Sequence, residues 1–146
     1  MIQSFTKYGY SYHDSGTAPT TITTSYQVFP VTVDATNSTN SAVFPDDCNI
    51  QSIEFEIPAL GSPGASSITM FLARDSAGDI PITNEYTQNI TVGATTATKV
   101  GAIFSDEIDY HFDGSVANTS RGTIYVVAKK TGGGTTTASI RVNWRA

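Results

Sequence analysis

The chain has 146 residues, of which 39% are hydrophobic and only 14% charged, which fits one ordinary domain with a single core and leaves no room for a second. Thirteen acidic against eight basic side chains give a net charge of -5, the wrong sign for tracking a phosphate backbone, so nucleic acid is excluded as an expected partner. No stretch approaches the roughly 20 apolar residues of a membrane-spanning helix, and residues 1–12 lack the apolar centre of a secretory signal, so synthesis in the cytoplasm without a membrane partner is expected.

Ile and Val together number 23 against 2 Leu, and Thr and Ser number 37, a β-branched composition that points to an all-β fold. Alternation with period two recurs along the chain, so strands are predicted and their faces assigned from the apolar phase. At the start, Tyr8, Tyr10 and Tyr12 fall at every second place and share one face of an extended segment. With Phe5 they make residues 3–12 either a first strand laying its rings over the domain or, within residues 1–18, an extended N-terminal arm that docks on another subunit.

Residues 20–29 read as a strand ended or bulged by Pro30, which has no ladder donor, and residues 33–44 as a long polar loop. Residues 50–57 form a half-buried strand, with Ile53, Phe55 and Ile57 facing inward and Ser52, Glu54 and Glu56 facing water. Residues 67–73 are apolar on both phases and read as a central strand covered on both faces. Further strands are expected at 88–92 and 98–104. Residues 106–112 alternate as a strand, although Ser105-Asp106-Glu107 could also cap a helical turn; strand or turn is favoured. Residues 122–130 and 136–145 read as a hairpin tipped by Gly132-Gly133-Gly134, with Ile124, Val126 and Ala128 facing the same way as Ala138, Ile140, Val142 and Trp144. Turn chemistry at 61–64, 75–81 and Asp113-Gly114 separates these strands. The expected fold is a single domain over residues 1–146, an antiparallel two-sheet β-sandwich, jelly-roll-like, of about eight strands.

Catalytic patterns are sparse. The only histidines are His13 and His111, no Gly-x-Ser-x-Gly elbow occurs, and His111 between Tyr110 and Phe112 reads as a partly buried, hydrogen-bonded side chain. Glu54 and Glu56 stand roughly 7 Å apart on one strand face, a glycosidase-like separation, but alternating acids are also how the wet side of a sheet looks. The acids of 75–79 and 106–109 leave a weak calcium site open beside the simpler account of Asp-Gly turns. Cys48, the only cysteine, reads as a small buried hydrophobe. No catalytic, cofactor or metal residue is therefore assigned. The interface candidates are Phe5, Tyr8, Tyr10, Tyr12, Arg141 and Arg145; the two arginines flank Asn143 on the polar side of the last strand, where they serve an acidic partner or simply a solvated face.

The segments Ser52-Ile-Glu-Phe-Glu-Ile-Pro58, Phe71-Leu-Ala-Arg-Asp75, Gly122-Thr-Ile-Tyr-Val-Val-Ala-Lys129 and Ser139-Ile-Arg-Val-Asn-Trp-Arg145 span roughly the last two-thirds of the chain. In these segments and in its acidic, Thr-rich β profile the chain resembles head decoration (cement) proteins and related accessory structural proteins of tailed-phage virions. That family has no invariant motif, so the resemblance carries over no functional residue. It implies a homotrimeric virion component, made in the host cytoplasm, that binds the major capsid protein of the assembled head and stabilises the shell without a cofactor. A tail-tip, fibre or receptor-binding module contacting glycans through Tyr86 or Tyr110, and a carbohydrate-binding β-sandwich module, remain the alternatives.

Overall fold

The structure, a computed structural model, describes residues 8–13, 19–34, 44–58, 67–90, 98–132 and 136–146, and these contain strands and turns with no helix. The strands are β1 (Tyr8–His13), β2 (Thr20–Ile22), β3 (Gln27–Asp34), β4 (Asp47–Ile57), β5 (Ser67–Ala73), β6 (Tyr86–Asn89), β7 (Thr98–His111), β8 (Ile124–Thr131) and β9 (Thr136–Arg145). Eight of them pair side by side, all antiparallel, in the order β6-β5-β8-β3-β1-β9-β4-β7, while short β2 pairs with the start of β9. The two ends of this order come together: the Gly101 amide of β7 donates to the Gln88 Oε1 of β6 at 2.7 Å, so the sheet is nearly closed. Closing a sheet in this way removes most of the unpaired edge that would otherwise invite aggregation.

The strand phases follow the predicted alternation. In β4 the inward set is Cys48, Ile50, Ile53, Phe55 and Ile57, and in β9 it is Thr136, Ala138, Ile140, Val142 and Trp144; all of these are buried. β5 spans the residues expected of it, and both of its sides are covered. Ile68, Met70 and Leu72 enter the main core, while Ala73 joins Tyr125 and Val127 in a second apolar cluster on the outer side. Cys48 is a free, buried thiol, as expected.

Three expectations need correction. Residues 122–130 and 136–145 do not make a hairpin: β8 pairs with β3 and β5, whereas β9 pairs with β1, β2 and β4. A shared apolar phase says that two strands face one core, not that they are neighbours. The predicted strand over 20–29 is split into β2 and β3, and Pro30 lies inside β3 opposite Tyr125, one residue past the last β1 pair, His13 with Val31. The bulge falls just beyond it, between the pairs of Tyr12 and His13. The favoured strand reading of 106–112 holds as far as His111, as a continuation of β7 through a large irregularity in which β7 takes five residues from Ile108 to Ile103 where β4 takes two from Ile50 to Ser52. Finally, His111 is exposed, not partly buried. The loop tips at 61–64, 133–134 and most of 33–44 lie outside the described residues.

β1 is an internal strand, hydrogen-bonded to β3 on one side and β9 on the other. Its inward positions are small. Gly9 lies opposite Trp144, and a Cβ there would overlap the indole ring itself. Two residues on, buried Ser11 accepts a hydrogen bond from Trp144 Nε1 at 3.2 Å, satisfying the polar edge of the ring in the core. Gly9→Ala is therefore expected to cost about 1–3 kcal/mol by overpacking. Gly114→Ala, at a turn where an added Cβ meets only ordinary contacts with Phe112, is expected to stay within about 0.5 kcal/mol. Urea unfolding of both variants checks the pair.

Candidate functional site

The pairing of β1 with β9 brings five of the six sequence-predicted residues together. Tyr8 lies opposite Arg145, Tyr10 opposite Asn143 and Tyr12 opposite Arg141, so on the outer face a ladder of phenols runs beside a ladder of cations and an amide. Phe5 lies outside the described residues. Tyr10 and Tyr12 meet edge to face with centroids 5.6 Å apart, and the Arg141 guanidinium sits 5.1 Å from the Tyr10 ring centroid, a cation–π contact. Tyr8 is 66% exposed and Tyr10 39%.

The next strands hold the cations in place. Glu54 on β4 is in register with Arg141 and forms an ion pair with it, while Lys99 Nζ of β7 approaches the same carboxylate at 3.7 Å. Arg145 is held by Glu107 through its Nε and its terminal nitrogen, and Gln51 Nε2 donates to the same carboxylate at 3.0 Å. This bonding, led by Arg145, holds the Glu107 carboxyl below its ordinary pKa. Asn143 completes the row by donating to Ser52 Oγ at 2.7 Å. Glu54 is therefore not a free solvated acid, although Glu56 beside it is exposed.

Sequence reasoning missed Glu107 and Ile103. Glu107 reaches Arg145 because the irregularity in β7 changes its phase, which no periodicity rule signals. Ile103 is 88% exposed on the outer phase between inward Ala102 and Phe104, and reading the phase of 98–104 would have placed it there. It adds an apolar point to a polar, ion-paired face.

A second feature is an open cleft of about 370 Å³ lined by Asp47, Cys48, Asn49, Arg74, Asp109, Tyr110, His111, Arg145 and Ala146. His111 Nδ1 bonds the Asp47 carboxylate there, and this bond, followed by the charge of Asp47, raises the imidazole pKa above 6.5. The thiol in the cleft, Cys48, is pushed up to about 12, first by burial and then by Asp47, which keeps it protonated and a poor nucleophile. Tyr110 is buried and Tyr86 packs on Phe104 with centroids 5.5 Å apart, so neither stands free on a loop for a glycan. His13 is engaged by the Pro30 carbonyl at 2.8 Å.

Among the described residues no three His, Cys, Asp or Glu side chains are grouped to hold a cation. Two of the acids that left calcium open are engaged elsewhere: buried Asp75 accepts the amides of Asp79 and Ile80, at 3.2 and 2.8 Å, and Glu107 serves Arg145. No family model matches the chain, and no curated protein is significantly similar to it.

Two measurements test this site. A double-mutant cycle of Glu54→Ala and Arg141→Ala is expected to give a coupling of about 1 kcal/mol, because the pair is three-quarters shielded and supported by its register. An NMR titration of His111 is expected to give a midpoint above 6.5 that falls in Asp47→Asn. Because the folded pKa is raised, the His111–Asp47 pairing contributes at lower pH and lapses as pH rises through that midpoint.

Proposed function

We propose that the chain is a structural protein of a tailed-phage virion, a head decoration (cement) protein that binds the major capsid protein of the assembled shell and strengthens it as a homotrimer. The observation that carries this reading is the outer face of β1 and β9, where Tyr8, Tyr10 and Tyr12 alternate with Arg145, Asn143 and Arg141. Tyr and Arg are the side chains enriched in the energetic centres of protein–protein interfaces, since they offer large contact area and directed hydrogen bonds at low entropic cost. Held by Glu54 and Glu107, the cations need little reordering when a partner arrives.

The strand path supports the reading. Leaving out short β2, the order β1-β9-β4-β7 continued by β6-β5-β8-β3 visits the strands as first, eighth, third, sixth, fifth, fourth, seventh and second. This order is consistent with the double Greek-key path of a jelly roll and so supports reading its two halves as the two sheets of a sandwich, an architecture common in viral capsid and lectin domains. Fold alone does not fix function, so the path adds weight to the family resemblance without replacing the argument from the face. Binding in many copies suits a contact of about 1,200–2,000 Å² whose strength is multiplied by avidity.

The test is attachment to purified heads lacking the protein, read by co-sedimentation. Tyr8→Ala and Tyr10→Ala, at exposed positions, are each expected to weaken attachment about 30-fold, near 2 kcal/mol, with unfolding midpoints little changed. In solution the protein should weigh three times its 15.5 kDa chain. Attachment confined to one vertex would transfer the reading to a tail module, and undiminished attachment of both variants would overturn the role of this face.

A further inference from the structure

We infer that a cleft on the outer side of β5, away from the tyrosine face, is a binding site for a neutral saccharide. The cleft has a volume of about 430 Å³ and is lined by Phe71, Gly78, Asp79, Pro81, Thr83, Asn84 and Glu85. Its size falls within the roughly 300–1,000 Å³ of small-molecule sites.

One aromatic ring, Phe71, lines the cleft. Phe71 is on the outward phase of β5 and half-buried, and Tyr26 meets it edge to face with centroids 5.8 Å apart. Tyr26 is fixed twice, by donating its hydroxyl to Glu85 Oε1 and by Lys129 Nζ 4.4 Å from its ring centroid. The rim is polar and uncommitted: neither the Asp79 carboxylate nor the Asn84 carboxamide forms a hydrogen bond or ion pair with another described residue. An aromatic ring beside an acid and an amide with free acceptors suits a pyranose, which presents C–H groups on one face and hydroxyl donors around its edge.

The site is built before any ligand arrives. The loop that carries the rim is bonded back to the sheet by Arg74 N to Ile80 O (2.9 Å), Ile82 N to Leu72 O (2.7 Å) and Leu72 N to Thr83 Oγ1 (3.1 Å). Asp75 ties its tip from within, and Gly78, at φ 77°, lies flat against Val28 and Val127 where a Cβ would crowd both. Little loop entropy remains to be lost on binding.

Charge selects the class of ligand. The carboxylates of Asp79 and Glu85 line the cleft and disfavour anionic sugars and phosphates, and Lys129 on the Tyr26 ring repels a second cation. A neutral sugar meets neither obstacle. The inference does not rest on attachment to a shell, since it uses different residues on another part of the surface.

The full chain is applied to an array of neutral, sialylated and sulfated glycans, then titrated by NMR with the methyl glycosides of glucose, galactose, mannose and N-acetylglucosamine. The expected result is retention of neutral glycans, with amide shifts concentrated at Phe71 and residues 78–85. Asp79→Ala and Asn84→Ala, both exposed and outside the strand pairing, are each expected to weaken binding about ten-fold, while Tyr10→Ala leaves it unchanged. Failure to retain any neutral glycan, undiminished binding by the two rim variants, or preference for sulfated or sialylated glycans or for tetramethylammonium overturns the inference.

Discussion

The seating of Trp144 against Gly9 fixes the strand register on which the outer face depends. A register can slip by one residue only by turning every side chain to the other face, and here a slip would drive Tyr8, Tyr10 and Tyr12 into the core and expose Ser11. The indole prevents this in two ways. It fills the space that only a glycine leaves free, and its N–H finds its acceptor in Ser11, two residues along the same inward phase. A buried, unsatisfied indole N–H would cost about 1–3 kcal/mol, so the slipped pairing is disfavoured by polarity as well as by volume. The same register stands Tyr12 beside Arg141 and Tyr8 beside Arg145. The exposed ladder is thus a consequence of how the core is packed.

The outer face that results is largely self-compensated. Each arginine already has a carboxylate, and those carboxylates are themselves held by Lys99 or Gln51. Half-buried ion pairs of this kind each contribute modestly to stability, and as a connected row they fix the direction of long side chains that would otherwise sample many rotamers. What they leave unsatisfied is apolar: the rings of Tyr8 and Tyr10 and the side chain of Ile103. In the proposed reading, those groups provide the contact area and the ordered charges provide orientation, a division that matches the energetics of protein interfaces, where aromatic anchors dominate affinity and charge dominates specificity.

Much of the fold was legible in the sequence because alternation reports directly on which side chains share a face. β5 and β9 begin and end where they were expected, β4 begins three residues earlier than its predicted segment, and the residues the pattern named as inward in β4 and β9 are buried, with Cys48, Ile50 and Thr136 added to them. Alternation does not report neighbours, so β8 and β9 were paired by proximity in the chain when they belong to different parts of the strand order. It also assumes constant phase, which β7 breaks between Ile103 and Ile108, hiding the partner of Arg145. The tyrosine ladder was visible, but the small residues between the tyrosines carry its structural reason, and Gly9 and Ser11 become informative only once Trp144 lies opposite them. The cleft on β5 had no local signal, since it joins Phe71 of β5 to the loop after β5, with Tyr26 from before β3 packed on Phe71.

That loop explains why an antiparallel strand can be apolar on both phases without exposing a greasy surface. Residues 74–83 fold back over the outer side of β5 and β8, so Ala73, Tyr125 and Val127 form a second small core outside the first. Burying Asp75 within this cover would be costly for a bare carboxylate, and its two backbone N–H donors offset that cost. Beyond Gly78 the chain runs back along β5, bridging Pro81 to Ala73 and bonding Ile82 to Leu72, and leaves Phe71 half-buried in an open cleft. An aromatic ring beside a polar rim is what remains at the margin of such a cover. Both outer surfaces therefore arise in the same way, as the exposed edge of a packing solution whose rigid part lies underneath: Trp144 on Gly9 beneath the tyrosines, and Gly78 on Val28 and Val127 beside Phe71.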